Sequence, residues 1–88
     1  MKATATAGKA GYFESNEQFA KAADLYKEAA RVDKSNPSNP QYLLRAGKNL
    51  IKIGNKKEAK TLLETIKNDY KGSTAAQEVD RYLIQAQS

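Results

Sequence analysis

The chain has 88 residues, of which 40% are hydrophobic and 28% are charged, and its net charge is +5. This composition fits one small globular domain, and no apolar run approaches the ~20 residues that a membrane-spanning helix needs. Because there is no cysteine and no histidine, composition excludes disulfides, thiolate nucleophiles, imidazole bases and nearly every zinc, copper or haem site. We therefore expect no cofactor. Carboxylate pairs such as Asp24 with Glu28 could serve acid–base catalysis only in a cleft, which two or three helix layers do not supply, so we expect no catalytic residue.

The first third of the chain predicts two helices. Thr4 to Glu14 is the weaker one, because each of its two internal glycines costs about 1 kcal/mol relative to alanine. The second helix has a box-like start at Ser15 and Gln18. Its apolar stripe at helical spacing consists of Phe19, Ala22, Ala23, Tyr26, Ala29 and Ala30.

A polar linker, Asp33 to Asn39, separates this hairpin from a third helix. Asn39 followed by Pro40 predicts an N-cap and then the first helical residue. The stripe of the third helix consists of Leu43, Ala46, Gly47, Leu50 and Ile53.

Asn55 to Tyr70 is the clearest helix. Gly54 is placed to close the preceding helix in a left-handed conformation, and Asn55 with Glu58 forms a capping-box-like pair. Its stripe consists of Ala59, Leu62, Leu63, Ile66 and Tyr70.

Gly72 and Ser73 repeat this stop and start before a fifth helix, Thr74 to Gln87. The apolar residues of the fifth helix are Ala75, Ala76, Val79, Tyr82, Leu83 and Ala86. No stretch alternates with period two, so we expect no strands.

The two hairpins repeat at an offset of 37 residues, which pairs Phe19 with Lys56, Ala22 with Ala59 and Phe13 with Leu50. We predict an all-α fold of antiparallel helical hairpins, a fragment of a right-handed α-solenoid. The predicted units are repeat one at about 3–34, a linker at 35–39, repeat two at 40–71 and a capping helix at 74–87.

Repeat two resembles the tetratricopeptide-repeat family, at Leu43, Ala46, Gly47, Leu50, Gly54, Ala59, Leu63 and Ile66. The small residues Gly47 and Ala59 suit a close helix crossing, and the large ones fill the space around it. Repeat one departs from the pattern, with Glu17 where the turn glycine belongs. The resemblance implies a non-enzymatic scaffold that binds other proteins.

A narrower resemblance is to the end of bacterial membrane-anchored tetratricopeptide proteins, such as ancillary subunits of the Sec translocon. It rests on the runs 42–47 and 66–70, on Ser73 and on the run 82–84. The resemblance implies an envelope-associated parent protein, with a periplasmic repeat domain rather than a cytoplasmic one. It also implies that the chain is a fragment whose anchor and further repeats precede it.

The resemblance places a ligand groove on the third helix. Helical spacing puts four polar residues on one face of this helix, beside two apolar ones. The predicted groove residues are Gln41, Leu44, Arg45, Lys48, Ile51 and Lys52, of which all but Arg45 also follow from the family position. Flanking cations would favour an acidic protein or peptide as partner. Lys48 stands where carboxylate-clamp members have an asparagine, which argues against capture of a free peptide C-terminus by that mechanism.

Several alternatives stay open. Lys56, Lys57 and Lys60 form a second basic group at the start of the fourth helix, and all these lysines could serve only to keep the domain soluble. A basic surface could also dock on nucleic acid or anionic lipid, although aromatic residues are not interleaved with the lysines in sequence. The segment could have only a structural role at the end of a longer solenoid. An uncovered first helix would expose an apolar side and favour self-association.

Overall fold

The computed structural model describes residues 2–87, which form five helices of 14 residues each. The helices are α1 (Lys2–Ser15), α2 (Phe19–Val32), α3 (Asn39–Lys52), α4 (Lys56–Asp69) and α5 (Thr74–Gln87). Each helix packs against the next one along the chain, and α3 also packs against α5. The order of packing puts α1, α3 and α5 in one layer and α2 and α4 in the other. The Cα atoms accordingly span a thin slab of 34 × 29 × 16 Å.

The predicted all-α architecture is confirmed, and within residues 2–87 there is no strand. Two predicted helix starts are confirmed as well. The Asn55 side chain accepts a hydrogen bond from the Glu58 backbone amide at 3.3 Å. The Ser73 hydroxyl accepts one from the Ala76 amide at 3.1 Å. Each bond satisfies an N–H group that has no partner inside its own helix.

Other predicted helix ends are wrong. Ser15 belongs to α1, and Gln18 precedes α2 without a side-chain capping bond. The helix α3 begins at Asn39, so its N-cap is Ser38 and not Asn39. The side-chain amide of Asn39, which is fully buried, instead donates to the Asp33 carbonyl at 2.7 Å. This bond connects the start of α3 to the end of α2 across the linker.

Two glycines were expected to end a helix in a left-handed conformation, and only one of them does. Gly54 ends α3 with a φ of +81°, the left-handed conformation expected of it. Gly72 was expected to act in the same way, but Gly54 is the one glycine with positive φ among residues 2–87. Because α3 ends at Lys52, Ile53 lies outside the helix and is exposed, although the apolar stripe predicted it in the core.

The predicted crossing of α3 and α4 is confirmed at Gly47 and Ala59, which are both buried. A Cβ atom added at Gly47 would lie 3.2 Å from Cδ2 of Leu63 and 3.9 Å from the Ala59 carbonyl oxygen. The absence of a side chain on Gly47 thus lets the two helices approach. The core around this crossing consists of Leu44, Leu50, Leu63, Ile66, Val79 and Leu83 with several alanines.

The two hairpins are also joined by a cluster of charged groups. The ammonium of Lys27 on α2 binds the carboxylate of Glu58 at the start of α4 and lies 3.6 Å from Asp24. Only 16% of the Lys27 side chain is exposed. This ion pair links the two helices of the second layer, and the cost of removing Lys27 from water offsets part of the attraction.

Glu17, in the turn between α1 and α2, has a φ of +62°. It is the one non-glycine residue with positive φ among residues 2–87, at the position that Gly54 holds in the second hairpin. A side chain in this conformation costs roughly 1–2 kcal/mol. We expect Glu17→Gly to raise the free energy of unfolding by about 1 kcal/mol, measured by denaturant titration. The reverse change, Gly54→Glu, should lower it by a similar amount, and equal stability in all three proteins would contradict the strain.

Candidate protein-binding surface on α3

The surface of α3 between α1 and α5 carries three cations. Arg45 and Lys52 are exposed and Lys48 is half-buried. We call these three residues the basic strip. Gln41 lies on the same face of the helix, one turn before Arg45, and is half-buried.

The two apolar residues predicted for the groove differ in exposure. Leu44 is only 3% exposed and belongs to the core that α3 forms with α4 and α5. Ile51 is half-buried and packs against the same core. The prediction that Leu44 lines an open groove is therefore wrong, because α5 covers that flank of α3. The accessible surface of α3 is therefore less apolar than predicted, because only part of Ile51 is exposed and Leu44 is not.

The helix α3 contains no acidic residue. Of its cations, Arg45 approaches Glu14 of α1, with 4.0 Å between Nη1 and Oε1. Lys48 and Lys52 form no ion pair with any of residues 2–87. Their ammonium groups lie over aromatic rings instead, Lys48 at 5.4 Å from the ring centre of Tyr82 and Lys52 at 4.8 Å from that of Phe19. Both distances are in the range of cation–π attraction.

A half-buried polar network forms the α1 side of this surface. The Asn49 amide donates to Glu14 Oε2 at 2.8 Å and to the Arg45 carbonyl at 2.7 Å. The Tyr26 hydroxyl donates to Glu14 Oε1 at 3.3 Å. Burial, followed by the charge of Glu14, raises the pKa of the Tyr26 hydroxyl, so this group stays protonated and donates. Glu14 thereby joins α1 to α2 and α3.

Asn49 is almost fully buried, and its orientation follows from its neighbours. Both groups beside it are acceptors, so the NH2 group must face them. The Oδ1 atom is then left without a partner among the described residues. An unpaired buried acceptor costs about 1–3 kcal/mol. The bonds to Glu14 and Arg45 offset this cost, and they hold the end of α1 against the middle of α3.

The second basic group predicted from the sequence is separate from the strip. Lys56, Lys57 and Lys60 are exposed on the first turns of α4. Two of these cations stand at a helix N-terminus, where the helix dipole disfavours positive charge.

Neither a metal-binding group nor a membrane-spanning helix is found among residues 2–87. Within residues 2–87 no three carboxylates come together in a group that could hold a metal ion. None of the helices in that range is long and apolar enough to cross a bilayer. A depression of about 410 Å³ lies between the first half of α1 and the end of α2. Its lining residues are Lys2, Ala5, Thr6, Lys9, Glu28 and Val32.

Sequence reasoning missed four residues that shape the candidate surface, namely Glu14, Phe19, Asn49 and Tyr82. Each contacts a residue of another helix or of the strip. Phe19 and Tyr82 lie 33 and 34 residues from the lysines that they contact. An Asn at an otherwise apolar helix position was a usable signal for Asn49, because a buried amide needs polar partners.

A model of the family described as tetratricopeptide repeat matches residues 14–79. The matched segment begins in the last turn of α1 and ends inside α5. The comparisons with curated proteins and with solved structures find no match. The family match covers three quarters of the 88 residues and agrees with the packed helical hairpins and the close crossing at Gly47. The chain therefore belongs to the tetratricopeptide-repeat family.

Proposed function

We propose that the basic strip of α3 binds an acidic segment of another protein. Tetratricopeptide repeats act in general as protein-interaction scaffolds, typically without catalysis, and the proposal specifies the surface and the partner's charge. The observation that carries it is the charge of α3, which has three cations and no carboxylate. Two of those cations have no ion pair within residues 2–87.

Charge on the other helices is arranged differently. On α2 and α4, Lys27 and Lys67 pair with acidic residues, Lys67 with Asp80 of α5 at 3.0 Å. On α3, Arg45 shares its carboxylate partner, Glu14, with Tyr26 and Asn49. The strip therefore keeps most of its positive charge, which would attract an acidic partner and raise its association rate.

Nucleic acid or anionic lipid is the second candidate, because the lysines would also attract phosphates. The sequence argument against this candidate was that aromatic residues are not interleaved with the lysines. Aromatic rings do lie beside the lysines, but the rings of Tyr82 and Phe19 each have an ammonium group over one face. Those faces are not free to stack with bases, which favours a protein partner.

Two finer inferences accompany the proposal. The resemblance to bacterial membrane-anchored proteins supports an envelope-associated parent, whose repeat domain would meet its partner in the periplasm. A second contact surface would lie on α1, where the Tyr12 side chain is 65% exposed. That ring would support self-association, which sedimentation equilibrium of wild type and Tyr12→Ser would test.

The strip is tested by reversing two of its charges. We expect the double variant Lys48→Glu/Lys52→Glu to bind labelled poly-L-glutamate about tenfold or more weakly than wild type at low salt, because two attractions become repulsions. The salt dependence of binding, followed by fluorescence anisotropy, should become shallower. The melting temperature should fall only modestly, because the two lysines lose ring contacts of about 0.5–1 kcal/mol each but no ion pair among residues 2–87.

The matched control is Lys57→Glu/Lys60→Glu, which makes the same change in net charge on α4. Weaker binding by this control instead would place the interaction at the start of α4 and refute the strip. Tighter binding of duplex DNA or anionic vesicles than of poly-L-glutamate by the wild-type protein would favour the second candidate. Equal binding by all variants would mean that the lysines only solvate the surface.

A further inference from the structure

We propose that Tyr82 and Phe19 are positioning residues of the basic strip, which hold Lys48 and Lys52 in fixed places for an acidic partner. The inference rests on the proposed function of the strip. It adds two aromatic residues from other helices to a surface that otherwise consists of α3 alone. The partner it implies is a protein segment with at least two carboxylates, rather than a nucleic acid that would need free ring faces.

The rings come from opposite sides of α3. Tyr82 belongs to α5, is half-buried and packs against the core of α3, α4 and α5. Phe19 is the first residue of α2 and is also half-buried. Lys48 therefore leans toward α5, and Lys52 toward the turn between α1 and α2. Because their backbones are one helical turn apart, about 6 Å along the axis, this divergence widens the gap between the two ammonium groups.

Holding a lysine has a measurable benefit for binding. A free lysine side chain carries about 2 kcal/mol of rotamer entropy, part of which is lost when a partner immobilises it. A ring that already restricts the side chain reduces that loss. The ring contact leaves the ammonium charge in place, whereas a carboxylate contact would neutralise it. A cation over a ring thus stays available to a carboxylate that approaches from solvent.

The packing makes the rings suitable for this task. Tyr82 lies between two buried residues, Val79 one turn earlier and Leu83 next to it. The core therefore fixes the α5 backbone at this point. The position of its ring relative to α3 is therefore set by the fold rather than by the lysine. Phe19 stands next to the turn of Glu17, whose left-handed conformation directs the start of α2. The strip consequently depends on how α2 and α5 pack against α3.

The first test uses the wild-type protein without a partner. Protons that lie over an aromatic ring resonate upfield, so NMR should show upfield-shifted ε-methylene signals for Lys48 and Lys52. Lys57 and Lys60, which have no ring over which to lie within residues 2–87, provide the reference. The shifts should persist when poly-L-glutamate is bound. Reference-like shifts for both strip lysines would overturn the inference without affecting the proposed function, because exposed lysines could still bind the acidic chain.

The second test distinguishes the effect of the aromatic ring of Tyr82 from the effect of its size. Tyr82→Leu should weaken binding of poly-L-glutamate about two- to fivefold, which corresponds to about 0.5–1 kcal/mol, and Tyr82→Phe should bind like wild type. Tyr70→Leu removes another half-buried core aromatic, at the far end of α4, and should leave affinity unchanged. In a Lys48→Met background, Tyr82→Leu should have no further effect on binding.

Three results would overturn the inference. The first is an equal loss of affinity in Tyr82→Leu and Tyr70→Leu, which would indicate a structural effect. The second is an unchanged affinity in Tyr82→Leu. The third is that the losses of affinity from Tyr82→Leu and Lys48→Met add up in the double variant. The proposed function fails separately, if wild-type protein does not bind poly-L-glutamate or if charge reversal in the strip has no effect.

Discussion

Replacing Ala59 by arginine should abolish cooperative folding of the domain. Ala59 is fully buried where α4 crosses α3, beside Gly47. The longer side chain would overpack the crossing, and its charge would be taken out of water without a partner. We expect a loss of several kcal/mol from a total stability of about 4–13 kcal/mol for a chain of this size. Circular dichroism during thermal unfolding would show a broad, non-cooperative loss of helix.

The control is Lys60→Arg, which places arginine at the next position, on the exposed side of α4. It should melt like wild type within about 0.5 kcal/mol. A cooperative Ala59→Arg variant with an unchanged melting temperature would disprove the close crossing of α3 and α4.

Truncating Leu63 should have the next largest effect. Leu63 is fully buried in the main core and lies over Gly47. Leu63→Ala removes its packing and leaves a cavity, at a cost of about 2–5 kcal/mol in the free energy of unfolding. Denaturant titration at constant slope would measure this loss.

A second substitution should recover part of the loss. Gly47→Ala places a Cβ at 3.2 Å from Leu63 Cδ2 in the wild-type protein, and the crowding opposes the gain of up to about 1 kcal/mol in helix propensity. With Leu63→Ala the crowding disappears, so Gly47→Ala should then stabilise by about 1 kcal/mol or more. Gly8→Ala is the control, since its Cβ would meet nothing within 4 Å. It should have the same effect in both backgrounds, and additivity of Gly47→Ala as well would contradict the contact.

Most of the architecture was predictable because it depends on local periodicity. The stripes of α2, α4 and α5 identified core residues such as Ala22, Leu63 and Val79, which are fully buried. One error lies where a side chain had a choice of partner. Asn39 is a good capping residue by type, but the folded linker offers the Asp33 carbonyl to its amide. Glu17 takes a conformation that its residue type disfavours, because α1 and α2 must pack as a hairpin.

The candidate surface divides in the same way. Helical spacing alone placed Arg45, Lys48 and Lys52 on one face of α3, and they lie on one face because residues three, four and seven positions apart share it. The same spacing placed Leu44 beside them, and it could not show that α5 packs on that flank. Whether an apolar residue near the edge of a helix face is buried depends on which other helix covers it.

The amino-acid sequence by itself determined the number of helices, the close crossing of α3 and α4, and the concentration of cations on α3. These features follow from residue size, helical periodicity and charge within one segment. Only the tertiary structure decided that Lys48 meets Tyr82, that Lys52 meets Phe19 and that Glu14 is held by Tyr26 and Asn49. These contacts join residues from 12 to 35 positions apart. They form because packing of α1, α2 and α5 against α3 brings the residues together, and no local pattern encodes that geometry.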